Sequence, residues 1–447
     1  TITSGELRTE NNALTVTGIT TIGDGTGGTP DEATLTCGSS TCSFGSGVTA
    51  DYGLKVKANG TFAGGTGTHT AGGFYMDQNA AAKATVTSGV MTINSEKTSD
   101  NKAWRVEYGG DTFDNNNGTV KFAFNGFDSR FSMRSEGHAN NAFHNLIINM
   151  NGDTRTVSID NGTDVKVDND LTVSRGIFNV GSNHNLEVVG DVDVGSASEV
   201  SNLKFSSSST KTGTFGSLTI GADGTYEATS GTTIITSEAS NYAFYAKGGS
   251  TFTHNSGLLK ITTEATTQIR NQATGVWNDL EIDNNGNICQ FRYTNMTHAG
   301  DLTINAGDTL QMTGDMSYKF EWDGNATING TLDGATNNAT GSWKFGSITI
   351  GTAGTLSTTT GTTEITSNTG GGSSSALAFS QMGSGVFTHR NGTVKFSLNA
   401  DYAQIISGSA SVQGPFYDVD HNRASASYHL YIKSDTTVEH DFDNVQG

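Results

Sequence analysis

The feature that most limits what this 447-residue chain can fold into is that it repeats itself at long range. Phe215-Gly-Ser-Leu-Thr-Ile-Gly221 recurs as Phe345-Gly-Ser-Ile-Thr-Ile-Gly351, and without gaps residues 215–237 match 345–367 at 15 of 23 positions. A second block follows each copy. Phe252-Thr-His-Asn-Ser-Gly-Leu-Leu-Lys-Ile261 matches Phe387-Thr-His-Arg-Asn-Gly-Thr-Val-Lys-Phe396, and both match Phe113-Asp-Asn-Asn-Asn-Gly-Thr-Val-Lys-Phe122. This block reads as a strand, an Asn-Gly type turn and a second strand. A third block is an aromatic, two polar residues and an aliphatic: Phe143-His-Asn-Leu146, Trp277-Asn-Asp-Leu280 and Phe416-Tyr-Asp-Val419. The fourth is Asp170-Leu-Thr-Val173 and Asp301-Leu-Thr-Ile304. The phenylalanine of the second block recurs after 139 residues (252 − 113) and then 135 (387 − 252). Three large modules are therefore expected, 1–171, 172–302 and 303–447.

Within a module apolar residues alternate over short stretches, as at Leu186 and Val188 or Leu302 and Ile304, and Gly, Asn or Asp interrupts about every ten residues. That pattern predicts an all-β chain of short strands with one buried face. Charged residues make up 15%, against roughly 25% in ordinary globular proteins, which argues against exposed helix faces built from Glu, Lys and Arg. Two architectures fit: an elongated β-solenoid whose strands stack coil on coil, and a string of tandem β-sandwich domains. Only 2 prolines occur, few for sandwiches with Pro at turns and edges, so the solenoid is the expectation.

A net charge of −19 repels phosphate, and nucleic acid is not an expected partner. No run of 18 apolar residues occurs, so insertion into a bilayer as a helix is not expected. Cys37 and Cys42 flank Gly-Ser-Ser-Thr, a spacing that suits a small disulfide-closed turn; three free thiols, with Cys289, is the alternative. No cofactor or metal is expected. Ten histidines are scattered, and only His254 and His389 fall at equivalent positions, where the first module has Asn115. Asp279, Glu281 and Asp283 alternate along one strand face, which a glycosidase could use and a solvated face equally shows. Asp114-Asn-Asn-Asn-Gly118 and Asp283-Asn-Asn-Gly-Asn287 offer oxygens for calcium but match no calcium-loop spacing, and turns account for them. Asn-x-Ser/Thr triplets stand at Asn59, Asn117, Asn161, Asn295, Asn325, Asn329, Asn338 and Asn391, as expected of an Asn- and Thr-rich chain.

Residues 387–396, Phe143-His-Asn-Leu-Ile-Ile148 and Asp170-Leu-Thr-Val173 resemble the repeats of large β-strand-repeat surface proteins of environmental bacteria and their phages. That resemblance covers essentially the whole chain. It implies adhesin-like, fibre or virion-appendage proteins of β-solenoid character, outside the cell, with no shared catalytic residues. The resulting expectation is a non-enzymatic structural or adhesive protein, a subunit of a surface fibre or virion appendage, with copies of itself and surface glycans as partner classes. The alternative is a tailspike-like β-helix protein that binds or cleaves polysaccharide.

Two sets of residues follow from the repeat. Phe113, Phe252 and Phe387, and then Phe143, Trp277 and Phe416, recur in phase and are expected to stack in the interior. Thr1-Ile2 followed by Leu14-Thr-Val-Thr-Gly18 lines up with Thr172-Val173 followed by Leu186-Glu-Val-Val-Gly190, while Val445-Gln-Gly447 lines up with His298-Ala-Gly300. The two ends are thus expected at adjacent phases of the repeat. On that reading the first strand, with Ile2 and Leu7 buried at the joint, completes the coil left open on a neighbouring copy.

Overall fold

The structure, a computed structural model, describes residues 1–25, 32–77, 81–96, 98–107, 113–124, 128–133, 142–160, 164–195, 199–292, 296–313, 319–334, 340–368, 377–398, 404–423 and 429–446. Among the described residues there is no helix, only short strands joined by turns. Burial in the strands has the period of two read from the sequence. Leu54 and Val56 are buried with Lys55 between them facing out, and Leu302 and Ile304 flank Thr303 in the same way.

The strands do not form hairpins. Each pairs in parallel, in register, with the equivalent strand one turn along, so that Leu280, Leu302, Ala326 and Ile348 lie in one file. From Leu280 to Leu302 is 22 residues (302 − 280), one turn of a parallel β-solenoid. Sandwich domains are antiparallel, whereas the ladders along this chain are parallel from Gly5–Arg8 to Phe442–Gln446. A single antiparallel bridge joins Ala239 and Tyr242.

Two compact units are present, residues 1–230 with 249–251, and residues 231–248 with 252–447. These units follow packing and the modules 1–171, 172–302 and 303–447 follow sequence recurrence, so the two divisions describe different things. In the first unit a coil is three strands. Ala33–Thr36 and Gly60–Ala63 stack behind Gly5–Arg8, Cys42–Phe44 and His69–Ala71 behind Leu14–Val16, and Leu54–Val56 and Phe74–Met76 behind Thr20–Ile22. In the second unit Thr232–Ile235, Leu258–Ile261, Asp279–Ile282 and Leu302–Ile304 form one ladder. Tyr242–Ala246, Thr267–Asn271, Ile288–Arg292 and Thr309–Thr313 form another.

The second block is a strand, a turn and a strand as read, Phe113–Asp114 and Thr119–Phe122 in the first copy, and its Asn-Gly turn is a corner between two faces of the coil. In each copy two consecutive residues are left-handed: Asn116 and Asn117, Asn255 and Ser256, Arg390 and Asn391. The turn closes through Gly118 N donating to Asn115 O at 2.9 Å, Gly257 N to His254 O at 2.8 Å and Gly392 N to His389 O at 2.9 Å. The glycine itself is not left-handed, and close approach explains it. A Cβ on Gly118 would lie 1.8 Å from Thr87 O of the preceding coil, and one on Gly392 2.5 Å from Gly361 O.

A second device fastens coil to coil. Asp301 N donates to Asp279 Oδ1 at 2.8 Å, Asn325 N to Asp301 Oδ1 at 2.7 Å, and Ser347 Oγ to Asn325 Oδ1 at 2.6 Å. In the first unit Asn145, Asp170, Asp191 and Ser217 repeat the series, at 3.3, 2.9 and 2.8 Å. Asp418 accepts from Asp441 N at 3.1 Å in the same manner. Asn145, Asp170, Asp279, Asp301 and Asp418 each accept a corner N–H of the next coil, while Asp191 and Asn325 accept a serine hydroxyl there. This is why Asp opens the Asp-Leu-Thr block.

Register also corrects the phase of the ends. Leu146 pairs with Leu171, Leu280 with Leu302 and Val419 with Phe442, so Phe442, not a residue beyond Gly447, stands where Leu171 and Leu302 stand. Ile2 bridges to Ile22 as Val173 pairs with Val194, which places Thr1 level with Thr172. Residues 442–446 and Thr1-Ile2 therefore share a phase instead of adjoining. The sequence alignment had rested on one glycine, and the corner-to-corner step varies, 25, 22 and 23 residues from Asn145, Asp279 and Asp418.

Candidate functional site: the repeated interior and the coil edges

Phe113, Phe143, Phe252, Trp277, Phe387 and Phe416 all lie buried. A third aromatic, not singled out in the sequence, joins each pair. Trp104 packs on Phe113 and Phe143 with ring centroids 6.0 and 5.6 Å away, Phe244 on Phe252 and Trp277 at 5.6 and 5.4 Å, and Phe379 on Phe387 and Phe416 at 5.4 and 5.0 Å. Most of these contacts are edge-to-face, the arrangement the ring quadrupole favours. The signal was an Ala-aromatic dipeptide in phase, Ala103-Trp104, Ala243-Phe244 and Ala378-Phe379. It was hidden because two successive buried residues break the period of two. A register shift at Lys102/Trp104 and again at Tyr242/Phe244 makes that break possible.

Two histidines are interior residues as well. His298 lies between Trp277 and Trp322, with centroids 4.8 and 4.2 Å away, and its Nδ1 accepts the Trp277 N–H at 3.2 Å. Burial pushes its pKa down to about 3. His69 accepts the Cys42 N–H on Nδ1 at 3.1 Å and its Nε2 lies 2.6 Å from Gly64 O, and burial lowers its pKa too. Cys37 and Cys42 are joined by a disulfide beside His69. With both imidazole nitrogens engaged and both sulfurs bonded, this group has no donor left for a metal. Cys289 is buried, and burial raises its thiol pKa.

The histidines and acids that could have offered chemistry have structural duties. His254 Nδ1 accepts from Ser256 N at 2.8 Å and His389 Nδ1 from Asn391 N at 2.9 Å, while Asn115 Oδ1 accepts from Asn117 N at 3.1 Å. One job, holding the left-handed corner, explains why two histidines and an asparagine share a phase. Lys260 Nζ lies 3.0 Å from Glu281 and 2.7 Å from Asp283, which holds the Asp283 carboxyl below the usual range. Asp279 is a rung of the corner ladder. In the 283–287 loop the Asn284 and Gly286 N–H groups donate to the buried Asp308 carboxylate at 3.0 and 2.7 Å. Of the glycosylation triplets, Asn161, Asn295 and Asn338 lie outside the described residues.

Ile2 is half-buried against its own Ile22, and Leu7, in register with Leu35, is 45% exposed. Among the described residues Gly5–Arg8 pairs only with Ala33–Thr36. Ile19 of the same coil is also exposed. At Leu430–Ile432 and Phe442–Gln446 the pattern recurs: Tyr431, Ile432 and Phe442 are about half exposed, 47%, 50% and 48%. No family model, no curated protein and no solved structure matches this chain.

Proposed function

We propose that this chain is a non-enzymatic structural or adhesive protein, a β-repeat portion of an extracellular fibre or virion appendage that associates with copies of itself. What carries this reading is that the recurrent residues of all three sequence modules are spent on packing, corners and coil-to-coil fastening. The outward acids Asp279, Glu281 and Asp283 are held by Lys260 or by a backbone N–H group. The coil carrying Leu7 and Ile19 and the coil carrying Ile432 and Phe442 expose apolar side chains, which a further coil laid on them would cover. Because residues 442–446 and Thr1-Ile2 share a phase, the joint favoured is coil laid on coil, not one strand completing another.

Sedimentation of residues 1–447 across a wide concentration range tests it. End-to-end oligomers are expected, and Leu7→Lys with Ile19→Lys, at exposed positions, should abolish them without lowering the melting temperature. A monomer at every concentration would remove the self-association. Reducing ends released from a panel of acidic glycans would turn the reading to the tailspike-like alternative.

A further inference from the structure

Gly190, Gly300 and Gly324 precede the rungs Asp191, Asp301 and Asn325, whereas Asn169 and His440 put a side chain at that place, and the difference between those two points to a ligand. In the first unit Asn169 precedes the rung Asp170. Its amide Nδ2 lies 2.8 Å from Asn145 Oδ1 and 3.2 Å from Asp170 Oδ2, and its two hydrogens satisfy both oxygens. At the equivalent place near the last coil, His440 precedes the rung Asp441. Its Nδ1 lies 2.8 Å from Asp418 Oδ1 and 3.1 Å from Asp441 Oδ2. The geometry is the same and the donor capacity is not. An imidazole nitrogen carries at most one hydrogen, and here both oxygens belong to carboxylates, where the first unit has an amide and one carboxylate. Two negative groups therefore converge on a nitrogen that can serve only one of them by hydrogen bonding.

We propose that Asp418 Oδ1, His440 Nδ1 and Asp441 Oδ2 are ligands for a divalent cation of the zinc class. One imidazole nitrogen with two carboxylate oxygens is a donor set such ions take. Two bonds of about 2.1 Å meeting at a tetrahedral angle leave their donor atoms about 3.4 Å apart, so from the 2.8 and 3.1 Å they now keep, the carboxylates need to move outward by only a few tenths of an ångström to seat the ion. All three atoms lie within 4.8 Å of one another. Tyr417 stacks on the His440 ring, 4.9 Å away and 2° from parallel, and sets the direction of Nδ1. Glu439 is not part of the set, since its carboxylate lies 3.3 Å from His389 Nε2. The His440 and Asp441 side chains are largely exposed, so the ion can enter from solvent and keep water on its remaining positions.

The first unit supplies the control. His440→Asn recreates the Asn169 arrangement, so it should fold and melt like the parent while losing the ion. Titration of the full chain with zinc chloride against a chromophoric chelator, at neutral pH, should show a site that His440→Asn and Asp441→Asn each weaken by about tenfold or more. Zinc should also raise the melting temperature of the parent and not of either variant. Equal zinc uptake by the parent and by His440→Asn, whether through other histidines or not at all, would overturn the proposal. Should one variant fail to fold, the other decides it, together with the parent's melting shift.

Discussion

The aromatic groups make a quantitative prediction because the same pocket is filled in two ways. Where the first group has Trp104 with Phe113 and Phe143, the second has Phe244 with Phe252 and Trp277, so the indole has moved from the first position to the last. Phe244→Trp alone forces an extra ring against Phe252 and Trp277, already 5.6 and 5.4 Å away, and overpacking of this kind costs about 1–3 kcal/mol. Trp277→Phe alone empties the same volume from a fully buried site and removes a partner of His298, which should cost a comparable 1–3 kcal/mol, below the roughly 3–5 kcal/mol of truncation to alanine. Together they restore the composition of the first group, so the double variant should be more stable than the sum of the singles by about 1 kcal/mol or more. Urea unfolding of the parent, both singles and the double, read by fluorescence, gives the four free energies from midpoints and a common slope. Additivity within about 0.5 kcal/mol would refute the claim that the aromatics of one group share one volume.

Acid should loosen the interior. For His298 the folded pKa, about 3, lies below the unfolded 6.5, so the unfolded chain binds more protons between those values and stability falls as pH drops through that window, by up to about 1.4 kcal/mol per pH unit. His69 acts in the same direction. Melting temperatures from pH 7 to 3 should therefore decline less steeply in His298→Phe than in the parent, and parallel profiles would count against it. Gly118→Ala should cost more than 3 kcal/mol or prevent folding, since its Cβ meets Thr87 O, while Gly248→Ala, with nothing within 4 Å, should change the unfolding free energy from urea denaturation by about 0.5 kcal/mol or less.

Much of this was legible because a solenoid imposes its geometry at every turn. Alternation at Leu302 and Ile304 announced short strands with one buried face, and the recurrence of Phe252 and Trp277 announced an interior. What escaped was whatever depends on which coil lies next. Gly118 looked like a residue chosen for its backbone freedom, yet its neighbour is a carbonyl 31 residues earlier (118 − 87). Trp104, Phe244 and Phe379 escaped because the bulges at two of them shift the alternation. The convergence of Asp418, His440 and Asp441 escaped because its parts are 22 and 23 residues apart, a distance that only the register closes.

The corner ladder has a consequence for how such a chain can change in length. Each rung asks only for an acceptor oxygen on the coil before it and offers one to the coil after, as Asp301 does between Asp279 and Asn325. A whole turn bearing Asp or Asn at that corner could be added or removed and the flanking rungs would still meet, because no rung skips a coil; at the other corner Asn116 Nδ2, which reaches both Val86 O and Gly65 O, spans two coils and would tolerate it less. Stability in such an array is close to a sum of coil terms and nearest-neighbour terms, so the number of turns is free to drift while the pitch is held. Part of a coil is a different matter. Loss of a few residues at a corner would turn one file of side chains inside out relative to the next, so insertions and deletions in relatives of this chain should come in multiples of a turn or fall in the loops outside the ladders.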